Sequence, residues 1–301
     1  MSLIYSLKRM INPLLYIEEY GRNFIVDRTD NLGFCLCLRH DMDLMDRKTI
    51  DEFIKFEENA NIKSTCFFLL SQLRKYKKQA LLLREGGWDV QFHSQSRPFY
   101  FKANPFKMER LYRSNLKKEF SRVIALGFNC SGHAPHAIHC YVGYDPDLDW
   151  SVIEKATAGS GFKWICGYRL PVKTEYGEEF HAPLPSYRIT VGSSDNFINV
   201  YQTSWDDRFF FVSFRGKLLG KAKRTIEEAK KNILQQINFC REMNMPFIIS
   251  LHPFQFLKKD PAYPAELVLG LISYCRQEQI SVKTLKQISN EYSEIKISSK
   301  E

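Results

Sequence analysis

Apolar residues come along this chain in short unbroken runs, and most of those runs end in charge or in an imidazole. Phe34-Cys-Leu-Cys-Leu38 is apolar without alternation, as expected of a parallel strand covered on both faces, and a helical pattern follows from Arg47 to Asn59. Comparable runs predict strands at 34–41, 63–70, 88–93, 127–132, 162–167, 197–203, 246–251 and 280–284. Helical periodicity predicts helices at 47–60, 71–85, 105–126, 221–243 and 264–278. Alternation of this kind argues an α/β fold built as a parallel (β/α) barrel. The rhythm breaks at 171–216. Glu175-Tyr-Gly-Glu178 and Thr190-Val-Gly-Ser-Ser-Asp195 read there as turns between short strands, so a β-rich insertion is expected. At 301 residues and 44% apolar content, one barrel accounts for 31–301, with 1–30 as an extension packed on it.

The polar ends of the strands carry the candidate chemistry. Leu38-Arg-His-Asp-Met-Asp43 closes the first strand, and Asp41 and Asp43, two apart, point the same way in extended backbone. Such a pair can divide labour, one carboxylate binding a metal and the other moving a proton; the plainer alternative is that one of them caps the next helix. Of the seven histidines, six (His40, His93, His133, His136, His139 and His252) fall at a strand end or in the loop after one. In a parallel sheet those ends form one rim, where Asp41, Asp43, His93, His133 or His136, and His252 would converge. Carboxylate with imidazoles suits zinc or a related divalent ion.

These residues resemble the polysaccharide deacetylases of the NodB-homology type, carbohydrate esterase family four. Arg39-His-Asp-Met-Asp43 is similar to the family's first motif, Ser64-Thr-Cys-Phe-Phe68 to the strand that follows it, and His93-Ser94 to the start of its metal motif. Ser131-Gly-His-Ala-Pro135 sits where the third motif belongs, and Leu251-His-Pro253 resembles the last, in order over about Gly33 to Leu285. The resemblance implies that the barrel is an irregular (β/α) barrel of seven or eight mostly parallel strands, that Asp41 is a general base, Asp43 and His93 are metal ligands, and His252 is the general acid for the leaving amine. The family also holds its base carboxylate with an arginine, for which Arg39, Arg97 and Arg169 are the candidates.

The departure from the family is Arg97, which stands four residues after His93 where a histidine ligand belongs. A protonated guanidinium has no lone pair for a metal. Either His133 or His136 supplies the missing ligand, or water does, or the site is inactive. His133 is the expected substitute, being nearest the strand end. Arg97 and His136 are then left for the substrate, with Trp205 and Asp206 of Gln202-Thr-Ser-Trp-Asp206 as an aromatic wall and an orienting carboxylate, or else as a turn and a cap.

Composition narrows the setting. The N-terminal apolar patch is broken by Asn12 and Pro13, so no signal peptide is read, and no apolar run is long enough to span a membrane. The eight cysteines lack a Cys-x-x-Cys pair and read as reduced thiols of a cytoplasmic protein. The formal charge of +9, partly in Arg74-Lys-Tyr-Lys-Lys78 and 217–231, has no nucleic-acid motif beside it, so no nucleic-acid partner is expected. It is compatible with a phosphate-bearing substrate or with peripheral contact at an anionic membrane. The expected activity is metal-dependent removal of an N-acetyl or other acyl group from a sugar, nucleotide-linked or lipid-linked, in glycan or surface-polysaccharide biosynthesis, with one divalent ion, zinc in the first instance. The alternatives are an amide hydrolase for a small non-sugar substrate and an inactive carbohydrate-binding relative.

Overall fold

The computed structural model describes residues 33–95, 105–135, 150–167, 171–173, 179–181, 187–191, 194–201, 226–242, 244, 246–257 and 263–295. The expected extension 1–30 and the candidate residues Arg97, His136, Trp205 and Asp206 lie outside them. The described residues fall into two compact units, one from Phe92 to Tyr201 and one from the segments before Phe92 and after Gln202.

The second of these units holds β1 (Leu36–Asp41), β2 (Thr65–Leu69), the first half of β3 (Asp89–Ser94) and β10 (Phe247–Leu251). Strand β1 runs parallel to β10 on one side and to β2 on the other. Both faces of β1 are buried along its whole length, as its unalternating sequence requires. Helix α1 (Arg47–Asn59) buries Ile50, Phe53 and Glu57, a 3-then-4 spacing that defines one face. Its N-cap is Asp46, whose carboxylate accepts from the Thr49 backbone N–H and hydroxyl, both at 2.7 Å. These hydrogen bonds, the side-chain one foremost, hold the Asp46 carboxyl below its ordinary pKa. Capping is therefore done by Asp46, and Asp41 and Asp43 are released from that alternative role.

The helix expected at 71–85 is two helices, α2 (Leu70–Lys75) and α3 (Lys77–Glu85), hinged at the buried Tyr76. The expected strand at 280–284 is a single bridge, Leu36 to Val282. Its successor is a helix, Leu285–Ile295, anchored to the sheet because Leu285 N–H donates to Thr65 Oγ1 and Lys286 N–H to Asp89.

The other unit carries the rest of β3, then β4 (Gly132–Pro135), β5 (Trp164–Gly167) and β9 (Ser194–Tyr201) in successive parallel pairings. Strand β8 (Tyr187–Val191) adds antiparallel to β9, and β6 (Pro171–Lys173) pairs antiparallel with β7 (Glu179–His181). The described parts of the stretch expected to be β-rich, 171–216, are these short strands, and 202–216 lie outside the described residues. Helices α4 (Pro105–Ala125) and α5 (Trp150–Ala158) pack on each other, and α5 is one the sequence reading missed. The hydrogen-bonded strand order is β10-β1-β2-β3-β4-β5-β9-β8, seven parallel strands and one antiparallel edge among the described residues. This is an α/β fold of the irregular (β/α)-barrel class. No helix among the described residues is long and apolar enough to cross a membrane. The seven described cysteines are buried thiols, and burial pushes Cys35 up to about 12 and Cys275 up to about 11.

Candidate active site

The parallel register of β1 and β10 assembles the site. His40 lies opposite Leu251, so the next residue on each chain, Asp41 and His252, emerge side by side at the carboxyl ends of the two strands. Met42 continues the ladder by donating its N–H to Phe67 O at 2.9 Å, and its side chain is fully buried. That pins the loop and leaves Asp41 and Asp43 on the same side. The His252 Nε2 is then 4.0 Å from Asp41 Oδ2 and 3.6 Å from Asp43 Oδ1. An imidazole between two carboxylates, itself almost buried, is placed to move a proton.

Arg39 completes this group. It lies two residues before Asp41, on the same face, and its guanidinium donates to Asp41 through Nε at 3.2 Å and through Nη2 to Oδ1 at 2.8 Å and Oδ2 at 3.0 Å. Both groups are about 1% exposed, and the guanidinium also lies 4.9 Å from the Phe67 ring centroid. A buried carboxylate needs such a counter-charge, and a planar fork fixes its orientation as well. Arg39 therefore holds the carboxylate that the family resemblance implies as base. The alternation Arg39, Asp41, Asp43 was the signal for it.

The intervening His40 points to the opposite face and has a different task. Its Nε2 donates to Glu57 Oε1 at 2.9 Å, and Glu57 also accepts from Ser64 Oγ at 2.8 Å and Trp88 Nε1 at 2.5 Å. Glu57 is a fully buried carboxylate in the last turn of α1, satisfied by three donors. Helical spacing alone gave no sign of this network.

His93 and His133 belong to the other unit. His93 Nδ1–H donates to Ala134 O at 2.7 Å, which places the lone pair on Nε2, the tautomer that a metal-binding histidine takes. His133 is a correction. The apolar pattern predicts a strand ending at 132 with His133 just past it, but β4 begins at Gly132 and His133 lies inside it. In register with Phe92, it faces opposite to His93 and stacks on Phe92 and Phe162 at 5.9 and 5.1 Å. The Thr157 hydroxyl gives its proton to Ile153 O, so His133 Nδ1–H donates to Thr157 Oγ1 at 3.2 Å. The ring is wholly buried against α5, on the wrong face to share an ion with His93. Gly132 before it is required for packing, since a Cβ there would meet the Trp164 ring at 2.0 Å.

The donors thus fit the implied metal only in part. Asp43 and His93 have suitable chemistry, yet no three His, Cys, Asp or Glu side chains among the described residues form a metal-holding group. Replacing His133 by Ala is expected to cost about 2–3 kcal/mol of stability, as for other large-to-small core changes, and to leave bound metal unaltered. Thermal melts paired with metal analysis check this; loss of metal at parental stability would restore His133 as a ligand.

No family model and no curated protein sequence matches the chain. Solved structures do. A protein assigned to the polysaccharide deacetylases, from Mycobacterium smegmatis, superposes with a TM-score of 0.61 at 14% identity, over 88% of this chain and 92% of that one. This chain has the polysaccharide-deacetylase fold. The Puue allantoinase superposes equally well, with a TM-score of 0.61 at 11% identity over 91% of this chain and 95% of its own. On the polysaccharide-deacetylase fold, as in the present chain, the carboxyl ends of the parallel strands are where side chains from separate segments can meet.

Proposed function

We propose that the chain is an amide hydrolase that removes an N-acetyl group from a sugar. The observation that carries this is the Asp41 carboxylate, buried, held by Arg39 and set beside His252 at a strand mouth. Asp41 takes a proton from water as the water oxygen bonds to the acyl carbon. The C–N bond then breaks, and His252 delivers a proton to the departing nitrogen, leaving acetate and a free amine. A strong base alone would not suffice, because an unprotonated amine is a poor leaving group. One divalent ion, with zinc the first choice, would acidify the water when bound, and Asp43 is the residue beside Asp41 and His252 that we assign to it. The buried thiols fit a reducing, cytoplasmic setting and hence a precursor sugar rather than a finished polymer.

The likeness to an allantoinase supports a second reading, hydrolysis of a small non-sugar amide. An acetate-release screen over N-acetylated amino sugars and their nucleotide-linked forms, run beside allantoin, separates the two. Acetate from a sugar is the expected result. Turnover of allantoin alone would select the second reading.

A further inference from the structure

The turn that carries His252 is fastened from behind. Pro253–Phe256 forms a single helical turn with His252 as its N-cap, and the His252 carbonyl accepts from the Gln255 N–H at 2.7 Å and from the Phe256 N–H at 3.3 Å. Pro253 at the first helical position fixes the backbone torsion there. His252 and Phe256 are therefore the two ends of one stiff unit, and whatever holds the Phe256 ring also sets the direction in which the imidazole leaves the chain.

The Phe256 ring is wholly buried, with its centroid 5.6 Å from that of His40 on β1 and 5.3 Å from that of Phe56 on α1. His40 is the wall of this socket next to the site, since its neighbours along the strand are Arg39 and Asp41. The wall is itself held at two points, edge-on against Phe53 at 4.7 Å and by the hydrogen bond from Nε2 to Glu57. An imidazole is a costly choice there. The ring is wholly buried, and its Nδ1 has no hydrogen-bond partner among the described residues, whereas a phenylalanine would leave no polar atom unsatisfied. What the imidazole has and phenylalanine lacks is the directed bond to Glu57.

We propose that His40 and Glu57 are positioning residues for His252, acting through Phe256 to keep its Nε2 between Asp41 and Asp43. The inference rests on the amide-hydrolase reading for its kinetics, whereas the position of His252 is measured without turnover. His40→Phe keeps the ring wall and removes the bond. Crystal structures of this variant and the parent should show His252 Nε2 displaced by about 1 Å, and acetate release should show kcat lowered about 10²-fold at nearly unchanged KM, the cost of such a misplacement. Phe256→Leu should give the same pair of changes, and it decides the matter if His40→Phe does not fold. Glu57→Gln is the rescue. Its amide can accept from His40, or donate to it once the imidazole proton moves to Nδ1, so His252 should stay in place with kcat close to the parent's. His252 in its parental position in the variants that fold, or a kcat that falls as far in Glu57→Gln as in His40→Phe, overturns the proposal. A displaced His252 in a chain whose parent releases no acetate would keep the positioning role and reject the deacetylase reading.

Discussion

Asp41→Asn is expected to lower amide hydrolysis by about 10²–10⁴-fold, the usual worth of a positioned general base. It should also destabilise the fold. The buried Arg39 guanidinium loses its charge partner, and breaking a buried pair from one side costs about 3 kcal/mol or more. Activity and stability can be separated by adding Arg39→Met. Removing both charges takes away the uncompensated one, so the double variant should recover most of the lost melting temperature while remaining inactive. Recovery of activity along with stability would mean that Asp41 acts only through the fold.

The largest effect on folding is expected from Glu57→Ala. It strips an acceptor from His40, Ser64 and Trp88 at once, each of them buried, and opens a cavity under α1. Orphaned buried donors cost about 1–3 kcal/mol apiece, and with relaxation the total should reach about 4–5 kcal/mol. Chemical denaturation should show a lowered midpoint. Glu57→Gln keeps an acceptor oxygen and should lose less. A Glu57→Ala chain as stable as the parent would remove the structural role given to this network.

The two clusters show what the sequence could and could not disclose. Asp41, Asp43 and His252 were legible because an apolar run buried on both faces has to stop somewhere, and polar residues at its carboxyl end face solvent in any parallel α/β fold. Arg39 was visible too, through two-residue alternation, but ranking it above Arg97 and Arg169 needed the guanidinium's actual reach. His133 misled for the reason that made the others clear. A five-residue error in where β4 begins turned a core side chain stacked on Phe92 and Phe162 into an apparent rim ligand. Glu57 was hidden because its partners come from β1, the loop before β2 and the residue before β3, and no local pattern reports contacts so distant in sequence. The hinge at Tyr76 lacks glycine and proline, so the periodicity ran straight through it.

The division of base and acid work between Asp41 and His252 is read from the pH dependence of kcat/KM on the amide found in the acetate-release screen. The expected profile is a bell, falling on the acid side as the base is protonated and on the alkaline side as His252 loses its proton, with the alkaline limb gone in His252→Ala. A single-limbed profile in the parent, or a bell left unchanged by His252→Ala, would contradict it.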